Sequence, residues 1–261
     1  MSGVASGELA EVDFGRLGLI PAVAIGTGRR VVHALVVTLV HSRHQYVHLT
    51  HSQRLEDVIE GLEAAWEFFG GVAARVVLDN LKAAVTKADR YEPTIQRTFE
   101  EYAQHRGFVI DPAPVRQPTG KPHVERQVQY VRESFFRGET FRDLEDAQAR
   151  AKVWCLEVAG RRVHGTTRKQ PLEVFEQVEK AALKPLEGER FDTPRWGQVK
   201  VHPDHHVRFG NALYSVPTKY LRQQVDVRGD RSLVRIYHRG KLIKTHPTKA
   251  AGERSTDYDD Y

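Results

Sequence analysis

The chain has 261 residues, 40% of them hydrophobic, which is enough for one large or two small domains with a sizeable core. Its net charge of +5 is compatible with a polyanionic partner but does not require one. A single cysteine, Cys155, excludes an internal disulfide and is typical of a reducing compartment. The start has no basic-then-apolar run, and the longest apolar stretch, Val31 to Val40, is about half a membrane helix. We therefore expect a cytoplasmic protein with no membrane partner.

The first eighty residues predict a sheet with one helix. Four segments combine β-prone composition with alternating or continuous apolar residues, and we predict them as strands: Leu9 to Ile20, Val31 to Val40, Gln45 to Thr50 and Ala74 to Leu78. Between the last two, residues 54–69 place apolar side chains at helical spacing. Ser52 is the expected N-cap of this helix, and Gly70 ends it.

The next hundred residues alternate helices with one more strand. Helical spacing recurs in three segments, Pro93 to His105, Val124 to Phe136 and Leu144 to Val158, and Phe108 to Asp111 is a fifth strand. The resulting order is strand-strand-strand-helix-strand-helix-strand-helix. That order predicts an α/β domain over residues 8–184, with a mixed five-stranded sheet flanked by helices in an RNase H-like arrangement.

The pattern changes after residue 184. Residues 185–195 are charged and poor in apolar side chains, so we interpret them as a linker. Five short alternating segments with turns between them predict a small SH3-like β-barrel over residues 196–247. The remaining segment, 248–261, ends in acidic residues and is expected to be disordered.

Three acids stand where such a fold could bring them together. Asp13 and Asp79 each belong to or follow an apolar, β-prone run, and Glu125 lies near the start of a helical run. Two aspartates on neighbouring strands and a glutamate on a following helix can hold two divalent cations. Each acid taken alone also has a simpler interpretation: Asp13 as a solvent-facing edge acid, Asp79 as part of a turn, Glu125 as a helix-surface charge.

The residues around these acids resemble a known family. Four sequence motifs carry the resemblance: Leu78-Asp79-Asn80-Leu81-Lys82-Ala83-Ala84-Val85, Gly120-Lys121-Pro122-His123-Val124-Glu125-Arg126, Arg161-Arg162-Val163-His164-Gly165-Thr166-Thr167 and Pro171-Leu172-Glu173-Val174-Phe175. Their order resembles the IstA-type insertion-sequence transposases, within the DDE transposase and retroviral-integrase superfamily. The resemblance covers residues 8 to about 245. It is specific because several separate motifs occur in the order that the family has.

The resemblance implies an integrase catalytic core that cleaves DNA and transfers strands, with Asp13, Asp79 and Glu125 as catalytic and metal-binding residues. Carboxylate donors suit two Mg²⁺ or Mn²⁺ ions. The implied partners are double-stranded DNA at transposon ends and target, an IstB-like AAA+ ATPase helper and further copies of the chain, acting at the bacterial nucleoid. The family plan also has helix-turn-helix regions before the core. Because the core is predicted from residue 8, we expect this sequence to lack those regions and to bind DNA weakly and without sequence preference.

Candidate DNA contacts fall into two groups, one on a helix face and one in a basic cluster. Lys121, Gln129 and Arg132 share one helix face with Glu125, while Arg126 lies off that face and is a weaker candidate. The densest basic cluster, without acids, contains Arg161, Arg162, Arg168 and Lys169. A solvated helix face and a solvated loop are the alternatives.

The predicted barrel adds a third basic surface. Its cations are Arg208, Lys219, Arg222, Arg228, Arg231, Arg235, Arg239, Lys241 and Lys244, with tyrosines between them that we expect to be mostly core. Two other functions stay open at this point. One is a catalytically silent DNA-binding or assembly remnant, and the other is a stand-alone metal-dependent nuclease.

Overall fold

The structure, a computed structural model, describes residues 4–21, 28–78, 92–111, 125–165 and 167–261, without the side chains of residues 92–96, 125 and 126. It divides into two compact units, Met1–Phe191 and Asp192–Tyr261. The division falls inside the segment predicted as a linker.

The first unit is built on a mixed five-stranded sheet, as predicted. Its strands are β1 (Leu9–Pro21), β2 (Arg29–Leu39), β3 (Gln45–Thr50), β4 (Arg75–Leu78) and β5 (Val109–Asp111). Their order is β3-β2-β1-β4-β5. The first three strands form an antiparallel meander, and β4 and β5 run parallel to β1. This arrangement makes β1 the central strand of the sheet, between an antiparallel and a parallel neighbour.

In the described part of the first unit, five α-helices accompany the sheet. They are α1 (Leu55–Phe69), α2 (Glu92–Arg106), α3 (Glu125–Val131), α4 (Leu144–Trp154) and α5 (Pro171–Val174). The last three each continue into a π-helical turn, at Arg132–Phe136, Cys155–Ala159 and Phe175–Glu179, and the last is followed by a 3₁₀ turn, Lys180–Ala182.

The prediction of Ser52 as the N-cap of α1 is wrong. Arg54 occupies that position, and its backbone N–H donates to Asp57 Oδ2 at 2.9 Å. The Ser52 hydroxyl also donates to Asp57, so the serine supports the helix start without capping it.

Alternation along β1 sends neighbouring side chains to opposite faces of the sheet. Val12 and its i±2 neighbours join the core under α1, with Leu35 and Trp66. On the other face lies a second core, where Val36 packs with Val128 of α3 and Trp154 of α4. Both faces of the sheet are therefore covered, and a polar side chain on β1 between the two cores is buried.

The second unit differs from the predicted SH3-like barrel. The strands are β6 (Arg195–Lys200), β7 (His206–Phe209), β8 (Ala212–Ser215), β9 (Gln224–Gly229), β10 (Leu233–His238), β11 (Lys241–Pro247) and β12 (Arg254–Ser255). They form two separate sheets, β11-β10-β9-β6 and β12-β8-β7, and the hydrogen bonds over residues 192–261 do not close a barrel. Alternation correctly indicated that the five predicted strands contribute side chains to a shared core, but it carries no information about which strand edges pair.

The prediction of a disordered segment from residue 248 is also wrong. Strand β12 pairs with β8, and a 3₁₀ turn follows at Tyr258–Asp260. Asp260 is buried; it accepts a hydrogen bond from the Ser215 hydroxyl at 2.6 Å and forms an ion pair with Lys244 at 2.7 Å. Acidic composition suggested a solvated tail, but these carboxylates are neutralised by partners from distant strands.

The first part of the predicted linker, residues 185–191, belongs to the first unit and packs against its helices. Arg106 donates to the backbone carbonyls of Glu187 and Glu189 at 2.8 and 3.0 Å. The Phe191 ring lies 5.3 Å from that of Tyr102, and Arg190 pairs with Glu67 at 2.6 Å. These contacts were hidden from sequence reasoning because they join residues more than eighty positions apart.

Candidate active site

Asp13 is a buried carboxylate in the middle of the sheet. It lies on β1 and is only 2% exposed. One of its oxygens accepts a hydrogen bond from the backbone N–H of Val128, in the first turns of α3, at 3.4 Å. Burial of an ionised carboxylate is costly unless hydrogen bonds or a cation compensate it. The interpretation of Asp13 as a solvent-facing edge acid is therefore wrong.

Helix α3 approaches β1 closely because two glycines leave room for it. A Cβ built on Gly15 would lie 2.7 Å from Val128 Cγ1, and one built on Gly18 would lie 2.5 Å from the Phe136 ring. Arg132 adds a hydrogen bond to the backbone carbonyl of Arg16. The result is a helix whose first turn lies directly over the Asp13 side chain.

Of the other two predicted acids, one has a described backbone and one lies outside the described residues. Glu125 is the first residue of α3, so the helix that Asp13 contacts begins at it, but its side chain is outside the described part. Asp79 lies outside the described residues; the last described residue of β4, Leu78, pairs with Val12, the neighbour of Asp13. The grouping of all three acids stays a prediction.

The donor chemistry of the three acids fits the predicted ions, since carboxylate oxygens are the ligands that Mg²⁺ and Mn²⁺ prefer. Within the described ranges, no three His, Cys, Asp or Glu side chains lie close enough together to hold a metal ion. Of the three predicted donors, only Asp13 has a side chain in the described part.

The predicted DNA contacts near α3 are partly engaged within the chain. Lys121 lies outside the described residues, and the Arg126 side chain is not described. Gln129 donates to Glu133 at 3.0 Å, one turn along the helix. Arg132 is exposed and donates to the Arg16 carbonyl.

The basic loop after α4 presents its cations in three ways. Arg161 pairs with Glu157 at 3.1 Å while staying exposed. The Arg162 guanidinium stacks over the Tyr130 ring, 3.7 Å from its centroid, a geometry that fixes the orientation of the cation. Arg168 and Lys169 are exposed. Binding of DNA by these four residues stays a prediction.

In the second unit, ion pairs occupy three of the nine cations predicted as a basic surface. Arg228 and Arg235 both pair with Asp230, at 2.6 and 2.9 Å, and Lys244 pairs with Asp257 and Asp260. Burial opposes the charge of Lys244, but the hydrogen bonds to its two acids outweigh burial and raise its pKa. The basic surface of this unit is therefore smaller than its composition suggests.

Buried titratable groups elsewhere are structural. His44 packs against the rings of Phe68 and Phe175 at 5.4 and 4.9 Å, and burial lowers the pKa of its imidazole to about 4. Burial raises the pKa of the Cys155 thiol to about 12, so the cysteine is an inert core residue, as predicted.

None of the helices among the described residues is long and apolar enough to cross a membrane.

Sequence reasoning missed a polar cluster beside Asp13. Gln127 of α3 accepts a hydrogen bond from the Thr38 hydroxyl at 2.8 Å and donates to Glu11 Oε2 at 3.4 Å. Thr38 is a polar residue inside the apolar run of β2 and is 3% exposed. That interruption was the available signal, because a hydroxyl in a buried strand needs a partner.

The chain is similar in sequence to known proteins. Residues 186–257 match the family described as Mu transposase, C-terminal domain. A Mycobacterium tuberculosis protein named as a transposase, Rv3428c, is 40% identical over 99% of this chain and 63% of its own length. The transposase for insertion sequence element IS21 of Pseudomonas aeruginosa is 31% identical over 86% of this chain and 58% of its own length.

Among solved structures, the catalytic core domain of BIV integrase aligns with 66% of this chain and 95% of its own, at 13% identity and a TM-score of 0.43. The chain spans about three fifths of the two relatives' length. Over most of its own length, the chain is similar in sequence to transposases of bacterial insertion sequences.

Proposed function

We propose that this chain contains the catalytic core and C-terminal unit of an IstA-type DDE transposase, which cleaves DNA at the ends of an insertion sequence and joins them to target DNA. The observation that carries the proposal is Asp13, a carboxylate 2% exposed on the central part of the sheet and covered by the helix that begins at Glu125. Transposase relatives at 31–40% identity supply the independent support.

Chain connectivity supports Asp79 as the second acid. Val12 and Leu78 are paired neighbours on parallel strands, and Asp13 and Asp79 are the next residue on each. Asp79 is the residue after Leu78, and this connection to a strand paired with β1 is the reason for proposing it as the second acid. The strand order β3-β2-β1-β4-β5 also supports an RNase H-like integrase core.

Each acid has a distinct task in the proposed site. Asp13 is held by its burial and by the Val128 N–H, so it offers a donor fixed in place before any ligand arrives. Asp79 and Glu125 would complete the donor set. Two Mg²⁺ or Mn²⁺ ions, when bound, would supply Lewis-acid stabilisation to both the attacking and the leaving oxygens. Water would be the nucleophile for cleavage, and the freed 3′-OH the nucleophile for strand transfer.

The remaining cations would bind phosphates rather than bases. Arg168 and Lys169 are exposed, and the second unit adds Arg208, Lys241 and others outside its internal ion pairs. We propose that the second unit, with its match to a transposase C-terminal family, binds DNA or bridges copies of the chain. An IstB-like ATPase and a homo-oligomer on DNA complete the proposed assembly.

A strand-transfer assay tests the proposal against its two rivals. The full chain is incubated with oligonucleotides carrying the ends of its insertion sequence, a target plasmid and Mg²⁺, Mn²⁺ or Ca²⁺. We expect products with Mg²⁺ or Mn²⁺, and none after Asp13→Ala, Asp79→Ala or Glu125→Ala. Glu133→Ala, which removes an exposed acid just after α3, is the matched control and should stay active.

The possible outcomes separate the three functions. Cleavage without joining would favour a stand-alone nuclease. DNA binding without either reaction, in protein that is folded and metal-loaded, would favour the silent remnant.

A further inference from the structure

We infer that Gln127 is a positioning residue that holds the start of α3, and with it Glu125, in register over Asp13. The inference rests on the proposed function, because it assigns a task to Gln127 within the same site. We assign Gln127 no role as a ligand or as a catalytic residue. It would act through the helix on which it lies.

The contacts of Gln127 join three elements. Its carbonyl oxygen accepts from the Thr38 hydroxyl on β2 at 2.8 Å, and its amide N–H donates to Glu11 Oε2 on β1 at 3.4 Å. Glu11 and Thr38 are directly opposite each other in the β1–β2 ladder. Arg43 stands 3.8 Å from the same Glu11 oxygen and supports its orientation. The Gln127 amide therefore bridges one cross-strand pair.

The pair that Gln127 bridges is next to Asp13 on the same face. Side chains at i and i+2 of a strand share a face, so Glu11 and Asp13 both point toward α3. Asp13 accepts from Val128 N, the residue after Gln127. Two adjacent residues of the helix are thus tied to two positions of β1 that are two residues apart.

These ties oppose rotation and sliding of the helix start. Val128 and Val131 are apolar contacts, which tolerate small shifts because dispersion is non-directional. The Thr38–Gln127 hydrogen bond is directional and partly buried, and so it penalises the same shifts. Glu125 lies half a helical turn before Gln127, so any rotation of the helix start would displace it. A misplacement of about 1 Å can lower a catalytic rate about 100-fold.

Two substitutions remove the tie without changing shape greatly. Gln127→Met keeps the length of the side chain and removes both hydrogen bonds, and Thr38→Val replaces the hydroxyl by a methyl group. Thr38→Ser keeps the hydroxyl and is the rescue control. The full chain is tested for strand-transfer kcat, for Mn²⁺ binding by electron paramagnetic resonance, for DNA affinity and for melting temperature.

We expect Gln127→Met and Thr38→Val each to lower kcat and weaken Mn²⁺ binding about 10-fold or more, with DNA affinity within about twofold of the parent. Thr38→Ser should restore both quantities, and the double variant should be little worse than either single variant, because the two residues share one bond. Amide exchange in residues 125–131 should accelerate in the two single variants.

A structural role alone would lower the melting temperature and leave kcat and Mn²⁺ affinity unchanged well below it; that result would overturn the inference. If Gln127→Met does not fold, Thr38→Val decides by the same criteria. Full activity in both variants, beside inactive Asp13→Ala and Glu125→Ala, would overturn the inference alone. Activity in the triad variants would overturn the proposed function as well.

Discussion

Replacing Arg106 should destabilise the first unit far more than replacing an arginine with a similar partner at the surface. Arg106 pairs with Glu63, with side-chain exposures of 3% and 4%, and its Nε lies 2.6 Å from Glu63 Oε1. Hydrogen bonds to Glu63 raise the pKa of Arg106, and the guanidinium also binds the carbonyls of Glu187 and Glu189. Arg106→Met leaves a buried carboxylate and two carbonyls without this partner, which we expect to cost about 3–5 kcal/mol.

Arg190→Met is the matched control. Arg190 makes the same kind of two-bond contact with Glu67, at 2.6 Å, but the two side chains are 54% and 47% exposed. Removing an exposed pair should cost at most about 1 kcal/mol.

Urea denaturation followed by circular dichroism of the helices measures both variants, since the described α-helices all belong to the first unit. A difference between the two losses of less than about 1 kcal/mol would refute the assignment of Arg106 as a buried anchor.

Three further predictions use other parts of the molecule. Burial lowers the pKa of His44 from 6.5 to about 4, so its contribution to stability is complete above pH 6.5 and is lost as the pH falls toward 4, about 3 kcal/mol in all. His44→Phe should therefore reduce the pH dependence of the urea denaturation midpoint between pH 6.5 and 4. Gly15→Ala should lower stability by about 1–3 kcal/mol, because its Cβ would lie 2.7 Å from a neighbouring side chain, whereas Gly28→Ala, with no described atom within 4 Å, should stay within about 0.5 kcal/mol in urea titrations. In DNA titrations at several salt concentrations, Lys241→Gln should reduce the slope of log K against log salt by about 1, whereas Lys244→Gln should not, because its charge is engaged in ion pairs.

Local patterns in the sequence predicted the elements of the first unit well. The alternation around Val12 and Phe14 correctly placed β1, and helical spacing correctly placed α1 and α4. Such patterns record burial on one face, which each residue senses locally. The same logic placed Asp13 opposite Val12, on the face that α3 covers.

The failures share a different cause, since each depends on contacts between distant segments. The acids near the end of the chain read as a solvated tail because Lys244 and Ser215, their partners, lie on other strands. A barrel was wrongly predicted for the second unit, because alternating apolar residues do not determine which strand edges pair. Gln127 was not singled out because its partners, Glu11 and Thr38, are about ninety or more positions away.

The most direct test of the proposed active site is Mn²⁺ binding by the full chain, measured by electron paramagnetic resonance for the parent, Asp79→Asn and the matched control Asp111→Asn. Asp111 ends β5, the next parallel strand, and pairs with Arg75. The proposal predicts that Asp79→Asn weakens Mn²⁺ binding at least about 10-fold and removes the spectral signature of ions held close together, while Asp111→Asn behaves as the parent. Equal Mn²⁺ binding in the parent and Asp79→Asn would contradict a site built from Asp13, Asp79 and Glu125.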